Sequence, residues 1–461
     1  MAIPTAMNSI TNYDDYVHEP NNESFAGIPG DKGLPLVGHT LSFYKDPYEW
    51  AKENYAKYGP VIQVHLLGGD GVVVLGPDLV ERVNLDPGRD FSSRMGFMAR
   101  VATFFGNSVI MEDFEHHRHQ RRILQTAFKN ESLKHYTKEI NGIYDRALNE
   151  WAVNVGKTME FFPYIKELLL EVAAEIFIGE KGRGAEMRKI NNAFIDCANG
   201  TMYIVPFRFP GNTLDKGLRG REFLEKKFRA MVPIKRAGTG LDMLSHFCRE
   251  KDEEGNLFSD EEIASQTIFL LFAAHDTTTA AITHTIYYLA RNPEAKEKLY
   301  QECKALGKDS LNYEDLDSVP YMQQVFFETQ RLRSSTPIIP RRTIREVELA
   351  GVKVPAHTMI LSVPRFTHNM PEYWSNPDQF DPERFSPQRA EHKKHSFQFH
   401  PFGGGAHKCI GMHFAQMEYK CFLYKFMLKY DFEARHKSEP KMQALPLPKP
   451  ADNMPIYLRK R

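Results

Sequence analysis

The chain has 461 residues, 42% apolar and 26% charged, the balance of a globular protein rather than a disordered or fibrous one. Lys plus Arg and Asp plus Glu both total 59, which excludes a global attraction to nucleic acid or anionic lipid and leaves charge-guided docking to a local patch. The five cysteines (Cys197, Cys248, Cys303, Cys409 and Cys421) are odd in number, widely spaced and form no CxxC pair. Neither a disulfide framework nor a tetrahedral zinc site is expected, and a reducing compartment is.

Residues 1–27 read as a polar N-terminal extension. The start lacks the basic and apolar segments of a signal peptide, and no later apolar run approaches membrane-spanning length. A cytoplasmic chain without a transmembrane anchor is expected. After the Pro/Gly-rich "AGIPGDKGLPLVG", the spacing of "DPYEWAKENYAKYG" predicts a helix ending at Gly59. "PVIQVHLLGGDGVVVLG" alternates and turns at "GGDG", which predicts a β-hairpin. Helical text dominates from about 115 to 335, interrupted by "YIVPFRFPGNTL". Short strands return from about 336, as in "VELAGVKVPAHTMILS", and a last helix, "MHFAQMEYKCFLYKFMLKY", precedes a Pro-rich tail. The fold class is therefore mainly α with small β-sheets. A single unit spans 28–461, with its β-rich part drawn from about 60–90 and 336–365 plus the C-terminal tail.

The longest predicted helix opens on Ser259 followed by Asp260, Glu261 and Glu262, a capping box with acidic residues at the positive helix end. It runs to Pro293, about 33 residues or roughly 50 Å. Its apolar stretch "IFLLFAA" demands burial, yet "HDTTT" (275–279) follows at once. Asp and consecutive threonines are poor mid-helix residues, and a buried carboxylate is costly unless paired or functional. Either these groups cap a helix distortion or they serve chemistry.

"FGGGAHKCIG" (402–411) sets Cys409 between Gly403–Gly405 and the last helix. Three glycines permit a tight loop and close approach of a flat ligand. The following helix N-terminus favours a thiolate. Phe402 offers an aromatic wall, and Gly411 lets the helix lie close. The cysteine reads as a nucleophile or a metal ligand, against the plainer reading of a buried structural thiol.

The same ten residues resemble the haem-binding loop of the haem-thiolate monooxygenases, the cytochrome P-450 superfamily. "ETQR" matches that family's Glu-x-x-Arg, giving Glu328 and Arg331, and "PERF" supplies Arg384. "AAHDTT" matches the oxygen-activating stretch, giving Asp276 and Thr277 beside Ala273. The resemblance implies a P-450 fold with a long central helix over haem b, Cys409 as iron ligand, and thiolate donation that favours O–O cleavage. It implies propionate partners at His117, Arg121, Arg341 and His407, with Arg342 a one-residue alternative to Arg341. Asp276 and Thr277 would organise protons and water; His275 is expected to bond a neighbouring loop. Ala274 stands where the family commonly has glycine. Glu328, Arg331 and Arg384 would form a buried structural network.

A sizeable apolar substrate pocket is expected from segments containing Phe97, Met98, Phe104, Met202, Ile204, Leu270, Ile338, Ile339 and Leu447. The layout is similar to the branch of retinoic-acid hydroxylases and sterol demethylases, which implies a terpenoid, steroid, retinoid or fatty acid. The chain has no flavin, nicotinamide or iron–sulfur region, so electrons from NAD(P)H would arrive through a ferredoxin or flavodoxin and its reductase. That partner would dock on Arg118, Arg122, Lys408 and Lys420. Two rival readings are a peroxide-dependent hydroxylase and a non-catalytic haem protein that binds a ligand. The intact Asp276–Thr277 pair argues against both.

Overall fold

Residues 16–21, 25, 27–98, 101–182, 184–203, 207–252, 254–435, 441–443 and 448–461 are described in the computed structural model of the chain. The fold is mainly helical with small sheets. It divides into two units, the first made of Met1–Gln120, Thr336–Gln379 and Glu391–Cys409, the second of Arg121–Ser335, Phe380–Ala390 and Ile410–Arg461.

The first unit is built on a five-stranded sheet ordered Val61–Val64, Gly71–Val74, Met359–Ser362, Ile339–Thr343, Phe91–Ser92. The predicted hairpin is present, with Val61 opposite Val74 and Val64 opposite Gly71. Its side chains obey the two-residue period of a strand. Val61, Val72 and Val74 enter one cluster with Phe25 and Ile360, while Ile62, Val64 and Val73 enter another with Phe43 and Trp50. Both faces are therefore buried, which accounts for the unbroken valine run. The helix Pro47–Tyr58 is opened by Asp46, whose carboxylate accepts the Tyr48 and Glu49 N–H groups, and it closes on Gly59 at φ +84°. The strands Val347–Leu349 and Val352–Val354 turn on Ala350 and Gly351, both left-handed.

In the second unit the central helix spans Asp260–Arg291, 32 residues, and both halves of its capping box are formed. It packs against the helices Phe161–Ile178 and Thr213–Ala237. The helix runs without a break through "HDTTT", as its predicted length requires. Thr277, Thr279, Thr283 and Thr285 each donate a hydroxyl to the carbonyl four residues back, at 2.7–2.9 Å. Back-bonding satisfies the hydroxyls inside an apolar core without breaking the ladder. The C-terminal strand Pro455–Lys460 pairs between Thr158–Glu160 and Tyr430–Ala434.

The ionic group expected from "ETQR" and "PERF" closes inside this unit. Glu328, wholly buried, accepts from Arg331 Nε at 2.7 Å and Nη2 at 2.9 Å, from Arg384 Nε at 3.1 Å, and from the Asp381 N–H at 2.9 Å. Burial pushes the Glu328 carboxyl up and the two guanidiniums pull it down. Arg331 and Glu328 lie on one helix, Pro320–Leu332, whereas Arg384 comes from a separate turn, Pro382–Phe385. The network thus pins that turn to the helix. Arg384→Ala should lower stability by about 3–5 kcal/mol, because a partner of a buried ionic network is removed and the turn loses its anchor. The check is a fall in the urea midpoint at unchanged m-value.

Candidate functional site

In the first unit the loop before Cys409 is shaped by its glycines, and the reason lies within the protein. Gly403 and Gly405 take φ of +69° and +61°. A Cβ on Gly405 would sit 1.9 Å from the Asn84 carbonyl oxygen, and one on Gly404 would sit 2.4 Å from the Phe397 ring. These two positions admit no side chain because the loop is pressed onto the helix Pro77–Leu85 and onto Phe397. A Cβ on Gly403, by contrast, would meet nothing within 4 Å. Gly411 has ordinary φ and caps the helix Met412–Lys429. The Phe402 carbonyl accepts the Cys409 N–H at 2.9 Å, and the Cys409 residue is exposed.

The same unit assembles three of the expected ligand-facing residues. The rings of His117 and His407 lie 4.0 Å apart. His407 Nε2 stands 3.9 Å from Asp113 Oδ1. Arg341 is buried, and its one hydrogen bond among the described residues runs from Nη1 to the Pro340 carbonyl. Burial drives its pKa down, against the nearby charges of Asp113 and Asp86. A buried guanidinium with so few of its five donors spent fits an anionic ligand group. Arg342, the alternative, points elsewhere, to the His18 carbonyl and the charge of Glu19.

In the second unit Asp276 is half-buried on the central helix, 2.8 Å from His275 Nδ1 and 3.8 Å from Lys166 Nζ. Burial alone would raise its carboxyl; His275, Lys166 and Lys449 together hold it below the usual value. His275 Nε2 meets the Lys166 carbonyl at 3.0 Å, so its partner lies in the helix Phe161–Ile178 rather than in a loop. Thr277 donates to Ala273 at 2.8 Å. Arg121 is half-buried on the helix Phe114–Leu124, one turn past His117.

Other expectations divide. Phe97, Met98 and Ile339 are half-buried, and Phe104 and Leu270 are fully buried. Met202 is exposed, and Ile338 packs on the Phe43–Trp50 cluster. Ile204 and Leu447 lie outside the described residues. Arg118, Arg122 and Lys408 are exposed, Arg118 pairing with Glu115 at 3.1 Å. Lys420 does not belong to a docking surface: it is buried, its ammonium on the Leu316 carbonyl at 2.8 Å, and burial pulls its pKa down. Glu418 and Asp113 were not singled out from the sequence. Glu418 occupies the helix after the cysteine, where the count of residues gives no sign of which face is buried. Asp113, just before "FEHHRHQRR", carried a readable signal as a helix-opening Asp, and its carbonyl does accept the His117 N–H.

Residues 28–453 match the family model for Cytochrome P450. The chain belongs to the cytochrome P450 family. It is similar to the putative cytochrome P450 136 of Mycobacterium tuberculosis, with 35% identity covering 96% of this chain and 90% of the relative. It also resembles the beta-amyrin 11-oxidase of Glycyrrhiza uralensis, with 27% identity covering 92% and 89%. Among solved structures, retinoic acid bound cyanobacterial CYP120A1 superposes with a TM-score of 0.84 at 26% identity, covering 94% of this chain and 99% of that one. As a cytochrome P450 the protein is a haem-dependent monooxygenase, an oxidoreductase. No helix among the described residues is long and apolar enough to cross a membrane.

The P450's Glu418 yields a pH test. Burial pushes its carboxyl from 4.5 up to about 8, with the Thr278 hydroxyl pulling the other way. The folded state therefore binds a proton that the unfolded chain has released between these values, and stability falls as pH rises through that window. Glu418→Gln should match the parent near pH 4.5 and exceed it by on the order of 2–4 kcal/mol above pH 8. Denaturation midpoints of the two proteins across that range provide the measurement.

Proposed function

We propose that this P450 is a cytoplasmic monooxygenase that hydroxylates a hydrophobic, lipid-like substrate. Cys409 is its haem ligand, and its electrons come from NAD(P)H through a separate ferredoxin or flavodoxin with its reductase. The observation that carries the reading is an exposed thiol in the loop whose His407 ring lies against His117, in the same unit as the under-satisfied Arg341. Haem, bound through a thiolate, supplies oxygen activation and O–O cleavage. His117, Arg121, Arg341 and His407 hold its propionates as charge-assisted partners. Phe402, Gly405, Gly411 and Ala273 line the seat.

Thr277 and Asp276 manage protons. The Thr277 hydroxyl hydrogen is committed to the Ala273 carbonyl, so its Oγ1 is left to accept a hydrogen bond from water or substrate-side donors. Asp276, held below the usual value by His275 and Lys166, relays protons through its carboxylate. Cysteines outside any disulfide among the described residues support a reducing compartment. Phe97, Met98, Phe104, Leu270 and Ile339 supply apolar walls. The names of the similar proteins, for beta-amyrin and retinoic acid, support a lipid-like substrate.

Titration of the ferric protein with terpenoids, steroids, retinoids and fatty acids should give type I Soret shifts, with NAD(P)H consumption and a hydroxylated product by mass spectrometry. Shifts with small polar compounds alone would sink the substrate class. Turnover with hydrogen peroxide at the rate of the reconstituted system would replace the electron-transfer reading. Cys409→Ser should abolish the thiolate-type Soret band of the ferrous carbonyl complex.

Reversing charge at Lys408 and Arg122 should slow reduction by the acidic redox protein about tenfold at low salt, mainly in the on-rate. Stopped-flow reduction at two ionic strengths tests this. Unchanged kinetics would place the docking surface elsewhere.

A further inference from the structure

The polar N-terminal extension is not idle where it is described. Tyr16 is buried, its ring edge-on to Phe114 at 5.6 Å and its hydroxyl 3.1 Å from Asp113 Oδ2. The His18 carbonyl accepts from Arg342 Nη1 at 3.3 Å, the His18 ring meets His357 edge-on at 4.6 Å, and the Asn21 N–H donates to the His357 carbonyl at 3.0 Å. Residues 16–21 thus lie as a strap on the first unit, fastened at both ends.

What the strap grips is a hub. Asp113 is 2% exposed. Its Oδ1 accepts the Ser93 N–H at 2.7 Å and the Arg94 N–H at 3.3 Å, and its Oδ2 accepts the hydroxyls of Ser92 and Tyr16. His407 Nε2 stands 3.9 Å from Oδ1, and the Asp113 charge acts on Arg341. Arg341 and Arg342 are neighbours on one strand, so their side chains leave opposite faces. Arg342 meets the strap and Arg341 feels the hub. Burial and the Asp113 charge raise the Tyr16 phenol, which keeps it a donor.

We propose that the strap is part of the cofactor seat and that Tyr16, by fixing the Asp113 carboxylate, is a positioning residue for His407 and Arg341. This rests on the haem reading above. A guanidinium and an imidazole held beside a fixed carboxylate are preorganised to receive the carboxylate edge of the cofactor. Without the Tyr16 hydroxyl, Oδ2 loses one of its two hydroxyl donors and the Arg341 and His407 side chains lose their fixed reference. Without the Asp113 charge, the Arg341 guanidinium is less compensated, which would favour the reduced form of a bound group.

The test uses full-length holoprotein and follows haem transfer to excess apomyoglobin. Tyr16→Phe should lose haem about two- to tenfold faster, the range of one net hydrogen bond, while the apoprotein melts as the parent does. Asp113→Asn should lose haem faster still and show a more positive ferric/ferrous potential, a change that a purely structural role would not produce. If Asp113→Asn fails to fold, the Tyr16→Phe rate decides alone. Haem loss from Tyr16→Phe at the parent rate overturns the strap. A parent protein that takes up no haem, or a Cys409→Ser protein that keeps the thiolate spectrum, overturns the haem reading as well. A thiolate-ligated parent with an unmoved Tyr16→Phe rate overturns the strap only.

Discussion

Taking a charge out of water is the constraint on which both units of this P450 are organised, and each answers it differently. In the second unit the wholly buried Glu328 meets two guanidiniums and a backbone N–H. In the first, Arg341 is buried against one backbone carbonyl, with carboxylates acting on it from farther off. The first arrangement is closed, so its residues are structural. The second leaves donors to spend, and a buried cation with spare donors is stable only when a further anion completes it. Satisfaction of the buried charge, rather than charge itself, separates scaffold from seat.

The central helix solves the same problem with hydroxyls. A run of threonines in an apolar core would each carry an unmet donor, and the helix absorbs them by bonding back to carbonyls one turn earlier. Asp276 cannot be absorbed in this way, and its partners come from side chains: His275 beside it and Lys166 across the helix interface. The helix therefore stays continuous while carrying a carboxylate held below its usual value. Continuity keeps Asp276 and Thr277 on one regular helix.

Much of this was legible in the sequence, and the boundary of legibility is physical. The hairpin at "GGDG", the Ser259 capping box and the helix ending at Gly59 follow from local chemistry, so they appear where the spacing puts them. The Glu328 network was legible only through the family resemblance of "ETQR" and "PERF", since nothing local joins Arg384 to a residue 56 positions away. Lys420 was misread because a lysine in a helix reads as solvated, whereas its ammonium is spent on the carbonyl of Leu316, 104 residues away in sequence. Asp113 and Tyr16 escaped for the same reason: their bond joins residues 97 apart. Contacts of that range leave no periodic trace. How "HDTTT" is accommodated was open from the sequence, because local propensity does not show the back-bonding that a buried threonine adopts.

The glycines before Cys409 are held by packing inside their own unit. Their presence suggested room for a flat ligand, yet Gly404 and Gly405 are required by Phe397 and by the Asn84 carbonyl of the same unit. Pressing the loop onto that neighbouring helix is what fixes the direction from which Cys409 leaves the turn. A side chain at either position would push the loop off its support, and the thiol would move before any ligand was involved. The glycines thus set the position of the backbone that leads to the exposed Cys409.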